Sequence, residues 1–92
     1  MIENGGDINV QNKDGKTALM WFSFHGELEI ARLLLAHGAD VGAKDKHGNT
    51  ALIHASIRGR TETARLLLEH GADIKTKNKD GNTALIHASA RE

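Results

Sequence analysis

Residues 47–56 read HGNTALIHAS and residues 80–89 read DGNTALIHAS, so the two segments differ only at their first position. They lie 33 residues apart, and both contain the triplet TAL, at residues 50–52 and 83–85. A further step of 33 residues towards the N-terminus leads to residues 17–19, which also read TAL. The glycine two positions before each TAL triplet keeps this spacing, as do the leucine pairs at 34–35 and 67–68. A fixed period of roughly 20–50 residues is the signature of a repeat protein whose units stack on one another.

Each period contains the signals of a short first helix. Thr50 is predicted to cap a helix from Ala51 to about Arg58, because its hydroxyl can accept a hydrogen bond from a free amide of the first turn. Gly59 is predicted to end this helix in the left-handed backbone conformation that glycine tolerates. The equivalent helix of the preceding period is expected near residues 18–25.

A second helix is predicted in each period, from Thr61 as its cap to about His70 and, one period earlier, near residues 28–37. Its predicted apolar face consists of residues at helical spacing, namely Ala64, Leu67 and Leu68, widened by Leu66. His37 and His70 end these helices, where an imidazole can interact with the last carbonyl groups.

The helix pairs are followed by polar turns and depend on their neighbours. Residues 73–81, rich in Lys, Asn, Asp and Gly, predict a tight, hairpin-like turn. Two short helices and a turn cannot bury their own apolar faces, whereas stacked copies can. We therefore expect Leu34 and Leu67 to be buried between successive units.

The composition excludes several classes of protein. The 92 residues fit one small domain, and 12 basic residues balance 12 acidic ones, which argues against a dedicated binder of nucleic acid or membrane surfaces. There is no cysteine to form a disulfide, a thiolate metal site or a catalytic thiol. No apolar run approaches the roughly 20 residues of a membrane span, and residues 1–10 lack the pattern of a signal peptide. We therefore expect an intracellular, cytoplasmic protein.

Over all 92 residues, the chain resembles the ankyrin repeat family. The resemblance is carried by the 33-residue period, the Gly-x-Thr-x-Leu starts, the Leu-Leu pairs and the His-Gly-Ala-Asp ends at 37–40 and 70–73. It implies an all-α solenoid of stacked helix-turn-helix repeats joined by β-hairpin-like loops. The single domain 1–92 would comprise a partial unit 1–11, full repeats 12–44 and 45–77, and a partial unit 78–92.

The chain departs from the family pattern Thr-Pro-Leu-His-x-Ala at two positions. The proline is replaced by alanine in every unit, at Ala18, Ala51 and Ala84. The histidine is replaced by apolar residues, namely Met20, Ile53 and Ile86. We expect apolar packing at these positions in place of the family's histidine–threonine hydrogen bond.

The sequence offers no constellation for catalysis. It contains no phosphate-binding glycine motif, no zinc-binding helix motif and no nucleophile elbow. Its serines, one per unit at 23, 56 and 89, are interpreted as small residues that allow close helix contact. Equivalent histidines in stacked units would lie about 10 Å apart, too far to share a zinc ion. We predict no enzyme activity, no catalytic residue, no metal site and no cofactor.

The family resemblance implies that the protein binds another protein through a concave surface of turn tips and first helices. The contact residues that it implies are Lys13, Asp14, Lys16, Trp21, Phe24, His25, Lys46, His47, Asn49, Ile57, Arg58, Lys79, Asp80 and Asn82. His54 and His87 are further candidates on the same side. Among the aromatic residues, Trp21 and Phe24 are better candidates for exposure than Phe22, which is expected to fill space in the core.

Other interpretations stay open. The lysines at 13, 46 and 79 should form a row, which can serve solubility alone. The chain can also be a structural or engineered repeat segment, or a fragment of a longer array, without a specific partner. Since neither end shows a polar capping unit, such a segment would self-associate through its apolar ends. No nucleic-acid or membrane partner is predicted.

Overall fold

The computed structural model describes residues 8–84, which form two stacked pairs of helices. Helix α1 (Ala18–Phe24) packs on α2 (Leu28–Ala36), and α3 (Ala51–Ile57) packs on α4 (Thr61–Glu69). The pairs stack in parallel order, α1 on α3 and α2 on α4. No strand occurs within residues 8–84, so this part of the chain is all-α, as the sequence predicts.

The first helix of each pair begins at a threonine cap. The hydroxyl oxygens of Thr17 and Thr50 accept hydrogen bonds, each of 3.2 Å, from the amides of Met20 and Ile53. The predicted cap is thus confirmed. Met20 and Ile53 are themselves buried in the core, in agreement with the expected apolar packing at this position. The Thr17 amide also donates to the Met20 sulfur at 3.5 Å, an interaction that sequence reasoning missed.

Helix α2 begins at Leu28, as predicted, but the start of α4 differs from the prediction. Thr61 is already the first residue of α4, and Arg60 occupies the N-cap position of this helix. No side chain accepts a capping hydrogen bond there. The predicted Thr61 cap is therefore wrong. The reason is the tightness of the connection: Gly59 has a positive φ of 69°, and the Arg60 amide donates back to the Ala55 carbonyl at 2.8 Å. Only one residue separates this turn from α4, and Thr61 is drawn into the helix.

The core lies between the helices of successive units. Leu34 and Leu67 are both buried, as predicted. Leu66 is 4% exposed, whereas Leu33, the equivalent residue one unit earlier, is 60% exposed. The difference follows from the stacking, because α4 packs on α2 and so covers the side on which Leu66 lies.

Leu68 departs from the predicted apolar face. It is exposed, although the equivalent Leu35 is buried. Among helices α1 to α4, α4 packs on α2, which bears Leu35, whereas none of them lies beyond α4, which bears Leu68. Whether a leucine of the second helix is buried thus depends on whether a neighbouring unit packs against its side of that helix.

The loops between the pairs are hairpin-like turns that stack on one another. In the middle loop the Asp45 amide donates to the Asn49 carbonyl at 3.0 Å, which closes the turn. The Lys46 amide donates to the Asp14 carbonyl of the preceding loop at 3.0 Å, and the Lys79 amide donates to the His47 carbonyl at 2.9 Å. One backbone hydrogen bond therefore connects each loop tip to the next.

Gly48 shows how close these loops approach. Its φ is +79°, and a Cβ atom at this position would lie 3.0 Å from the Lys79 amide nitrogen. The glycine is therefore required both for the backbone conformation of the turn and for the contact with the following loop.

The stacking interpretation predicts unequal effects for the same substitution at equivalent positions. Leu66→Ala should lower the free energy of unfolding by about 2–5 kcal/mol, because it leaves a cavity between α2 and α4. Leu33→Ala, at the exposed counterpart, should change it by no more than about 0.5 kcal/mol. Urea denaturation followed by circular dichroism measures both values. Equal losses in the two variants would contradict the assignment of the core.

Candidate functional site

The residues proposed for partner contact all retain access to solvent. Those that are exposed are Lys13, Trp21, His25, Lys46, His47, Arg58, Lys79 and Asp80. Those that are half-buried are Asp14, Lys16, Phe24, Asn49, Ile57 and Asn82. His54, the further candidate on the same side, is buried and has little solvent-exposed surface, although its ring lines the cleft described below. His87 lies outside the described residues.

The loop tips form the first part of this candidate surface. The lysines at 13, 46 and 79 are exposed. The Lys46 ammonium lies 3.1 Å from an Asp14 carboxylate oxygen, an exposed ion pair that contributes at most about 1 kcal/mol to stability. The middle and last tips are further joined by a hydrogen bond of 2.8 Å from the Asn78 side-chain amide to the Asn49 side-chain oxygen.

The buried side chain of Asp45 accepts the hydrogen bonds that order the middle loop. Its side chain is 0% exposed, yet its carboxylate has four polar partners. One oxygen accepts from the amides of His47 and Asn49, each at 2.9 Å. The other accepts from the Lys16 ammonium at 3.2 Å and from His54 Nε2 at 2.9 Å. The network thus connects the loop tip to the preceding unit and to α3.

Sequence reasoning missed this network, although one signal of it was available. Asp45 occupies the position of Asn12 and Asn78, and the side-chain oxygens of all three accept the amides of the residues two and four places later. Only the middle unit has a carboxylate there. A charged residue at a position where its counterparts are neutral indicates a local partner, and here Lys16 and His54 supply it.

The pKa values of the two buried groups are shifted in the same direction. Burial alone would raise the pKa of Asp45, but hydrogen bonds from the Asn49 amide, His54, Lys16 and the His47 amide outweigh it and lower the pKa. Burial lowers the pKa of His54, and the hydrogen bond to Asp45 only partly opposes this. His54 is therefore neutral near pH 7, and because the Asp45 carboxylate can only accept, its Nε2 carries the proton.

The aromatic residues of α1 form the second part of the candidate surface. Trp21 is 56% exposed, and Phe24 is half-buried. Phe22 packs against the core, as predicted. Trp21 and Phe24, together with Lys16, Met20 and His54, line a cleft of about 130 Å³.

Cation and ring contacts hold the aromatic side of the surface in place. The Trp21 and His25 rings are 4.4 Å apart between centroids, and Phe24 meets the His25 ring edge-on at 5.1 Å. The Arg58 guanidinium lies over the Phe24 ring at 5.1 Å. These contacts join α1 to the end of α3, so this part of the surface spans two units.

The remaining histidines and serines have structural surroundings. The Nδ1 atoms of His37 and His70 lie 2.8 and 3.1 Å from the carbonyl oxygens of Leu33 and Leu66, which confirms the predicted contact with the last turn. Ser23 and Ser56 are buried between the helices. Within residues 8–84, no group of three or more His, Asp or Glu side chains is placed to hold a metal ion. No helix in that range is long and apolar enough to cross a membrane.

The shifted pKa of His54 predicts that stability falls in mild acid. Because its folded pKa is below that of the unfolded chain, the unfolded state binds more protons once the pH drops below about 6.5. Stability from this group is therefore complete above about pH 6.5 and declines as the pH falls below it. Protonation of the Asp45 carboxylate lowers the stability further in stronger acid.

The matched variants His54→Gln and His37→Gln test this. Glutamine at position 54 can still donate to Asp45 but does not titrate, so the decrease in unfolding free energy from about pH 7.5 to 5.5 should become smaller. The His37→Gln variant is the matched control, with the same substitution at an exposed histidine. Urea midpoints at each pH provide the measurement. The same pH dependence in all three proteins would refute the role of His54.

Comparison with protein families agrees with this architecture. The family model described as ankyrin repeats in three copies matches residues 1–78 and, in a second match, residues 40–92. Ankyrin repeats are generally protein–protein interaction modules, and members of the family are typically not enzymes. Because these matches cover the whole sequence and the structure has the stacked helix pairs that such repeats form, the chain belongs to the ankyrin repeat family.

Proposed function

We propose that this protein binds a protein partner through the loop tips and the first helices, on the surface defined by the contact residues named above. The observation that supports the proposal best is the direct connection of successive tips, through the Lys46–Asp14 and Lys79–His47 backbone hydrogen bonds. A surface that is ordered before binding loses less conformational entropy when a partner arrives.

The charge of this surface favours an acidic partner. It carries five lysine and arginine side chains but only two aspartates, in a chain whose formal net charge is zero. The basic residues are Lys13, Lys16, Lys46, Arg58 and Lys79, and the acidic ones are Asp14 and Asp80. An excess of one charge on one face accelerates association with a partner of the opposite charge.

Reversal of the charge at the three tip lysines, Lys13, Lys46 and Lys79, tests the proposal. The triple lysine-to-glutamate variant should reduce partner recovery in a quantitative pull-down at least tenfold. The control changes Lys44, Lys75 and Lys77, three exposed loop lysines outside the proposed surface, to glutamate. The two variants have the same net charge, so equal recovery of the partner would disprove the assignment of this surface.

A second candidate function is self-association through the ends of the stack, without a specific partner. The observation that favours it is the exposure of large apolar residues on both outer sides. Ile30 and Leu33 are exposed on α2, and Leu68 and Ile74 are exposed on α4 and in the loop after it. Two different surfaces of this kind would make a head-to-tail contact.

The mass of the protein in solution as a function of concentration tests this candidate. End-to-end association predicts a mass that rises from the micromolar to the millimolar range, and Leu33→Glu should abolish the rise by placing a charge in the contact. Lys44→Glu, a charge change on an exposed loop, should leave it intact. A monomer at every concentration in light scattering would eliminate self-association and leave the partner-binding proposal unaffected.

A further inference from the structure

The cleft between α1 and α3 has the size of a single side chain. Its volume of about 130 Å³ is close to that of an engineered protein cavity of about 150 Å³ that accepts benzene. It is well below the roughly 300–1,000 Å³ of sites for cofactors and drug-sized ligands. Met20, Trp21 and Phe24 make most of its lining apolar. The cleft therefore suits one aromatic or branched aliphatic side chain.

Two walls of the cleft, the rings of Phe24 and His54, are held in place without a ligand. The Phe24 ring meets the His54 imidazole edge-on, with 6.0 Å between centroids, and Arg58 lies over it at 5.1 Å. His54 is held in turn by the hydrogen bond of 2.9 Å to Asp45. Rigid aromatic walls around an apolar cleft are characteristic of the few contacts that dominate a binding interface.

The rim of the cleft selects for negative charge. Of the five lining residues only Lys16 is charged near pH 7, since the lowered pKa of His54 keeps that ring neutral. The Lys16 side chain is 34% exposed, whereas that of its partner Asp45 is 0% exposed, so an approaching molecule meets the ammonium and not the carboxylate. Aromatic walls could otherwise receive a cation, but Lys16 and Arg58 oppose one here.

We infer that this cleft binds a bulky apolar side chain of an acidic peptide segment, with an aspartate or glutamate of that segment within two residues of the apolar one and directed to Lys16. The inference rests on the proposed function and specifies its partner. It assigns the aromatic residues of α1 the role of a specificity pocket beside the basic loop tips.

The only tryptophan of the chain, Trp21, lies in the cleft and makes a direct binding assay feasible. Three blocked pentapeptides serve as probes, with the sequences EEFEE, EEAEE and KKFKK. Titration with EEFEE should produce a saturable change in Trp21 emission, with a dissociation constant at least tenfold lower than for either other peptide. An equal response to EEAEE would remove the apolar pocket from the inference, and an equal response to KKFKK would remove the charge selection. Either result overturns it.

Variants of the rim locate the charge selection. Lys16→Met keeps most of the apolar stem and should reduce the preference for EEFEE over KKFKK to about twofold or less. Lys77→Met, in an exposed loop position outside the cleft, should retain the full preference. Because Lys16 also partners the buried Asp45, Arg58→Gln provides an independent variant that leaves that network intact and should weaken EEFEE binding several-fold. An unchanged affinity in both Lys16→Met and Arg58→Gln would overturn the inference.

The outcomes separate this inference from the proposed function. If the tip-lysine variant loses the partner but no peptide binds at the cleft, the surface is correct and the cleft is not its specificity pocket. If EEFEE binds at the cleft but the tip-lysine variant still recovers the partner, the cleft inference holds and the role of the loop tips is refuted. Amide chemical shifts mapped with EEFEE must change on α1 and α3, since changes confined to other elements would refute the cleft as its site.

Discussion

The structure depends on the contact between one helix pair and the next. Leu66 shows this most directly, because the same residue type at the same position of the preceding unit, Leu33, remains largely exposed. A unit of 33 residues has too little apolar area to stabilise itself, and burial contributes about 25 cal/mol per Å² only where a neighbour covers the surface. The threonine caps and the glycine turns give each pair its shape, but the stacking of α3 and α4 on α1 and α2 gives it stability.

The loops extend the same principle into the polar part of the protein. Their tips are joined by backbone hydrogen bonds, and in the middle loop a carboxylate replaces the asparagine of the neighbouring units. Burying a charge is costly unless it is paired and hydrogen-bonded. Asp45 meets this condition through two amides, an ammonium and an imidazole. The residues around it are thereby fixed, and these include Lys16 at the rim of the cleft and Asn49 in the proposed surface.

For partner binding, the distribution of charge over the protein surface matters more than the net charge of the chain. The chain is neutral overall, but its basic residues predominate on the proposed surface, where Asp45 is hidden and Lys16 is half-buried. In the Lys16–Asp45 ion pair only the ammonium reaches the surface, so the pair presents its positive end to an approaching molecule. Beside it, Trp21 and Phe24 supply apolar area. A basic rim around an aromatic cleft combines electrostatic steering with a short-range apolar contact.

The sequence by itself determined the features that depend on residues close together in the chain or on strict periodicity. It predicted the 33-residue unit, the cap at Thr50, and the burial of Leu34 and Leu67. A cap is decided within one helical turn, and a period can be counted without knowing which surfaces meet. The apolar replacement at Met20 and Ile53 was predictable for the same reason, since it follows from position within the unit.

Only the tertiary structure decided which equivalent residues have a neighbour. Stacking buries Leu35 but leaves the equivalent Leu68 exposed, and it buries His54 against Asp45. The short turn at Gly59 leaves Thr61 without a capping role. The Lys16–Asp45 contact joins residues 29 positions apart, and its strength depends on an environment that no local pattern encodes. Whether a side chain is buried, charged or available to a partner depends on what packs beside it, and in a stack that neighbour belongs to another unit.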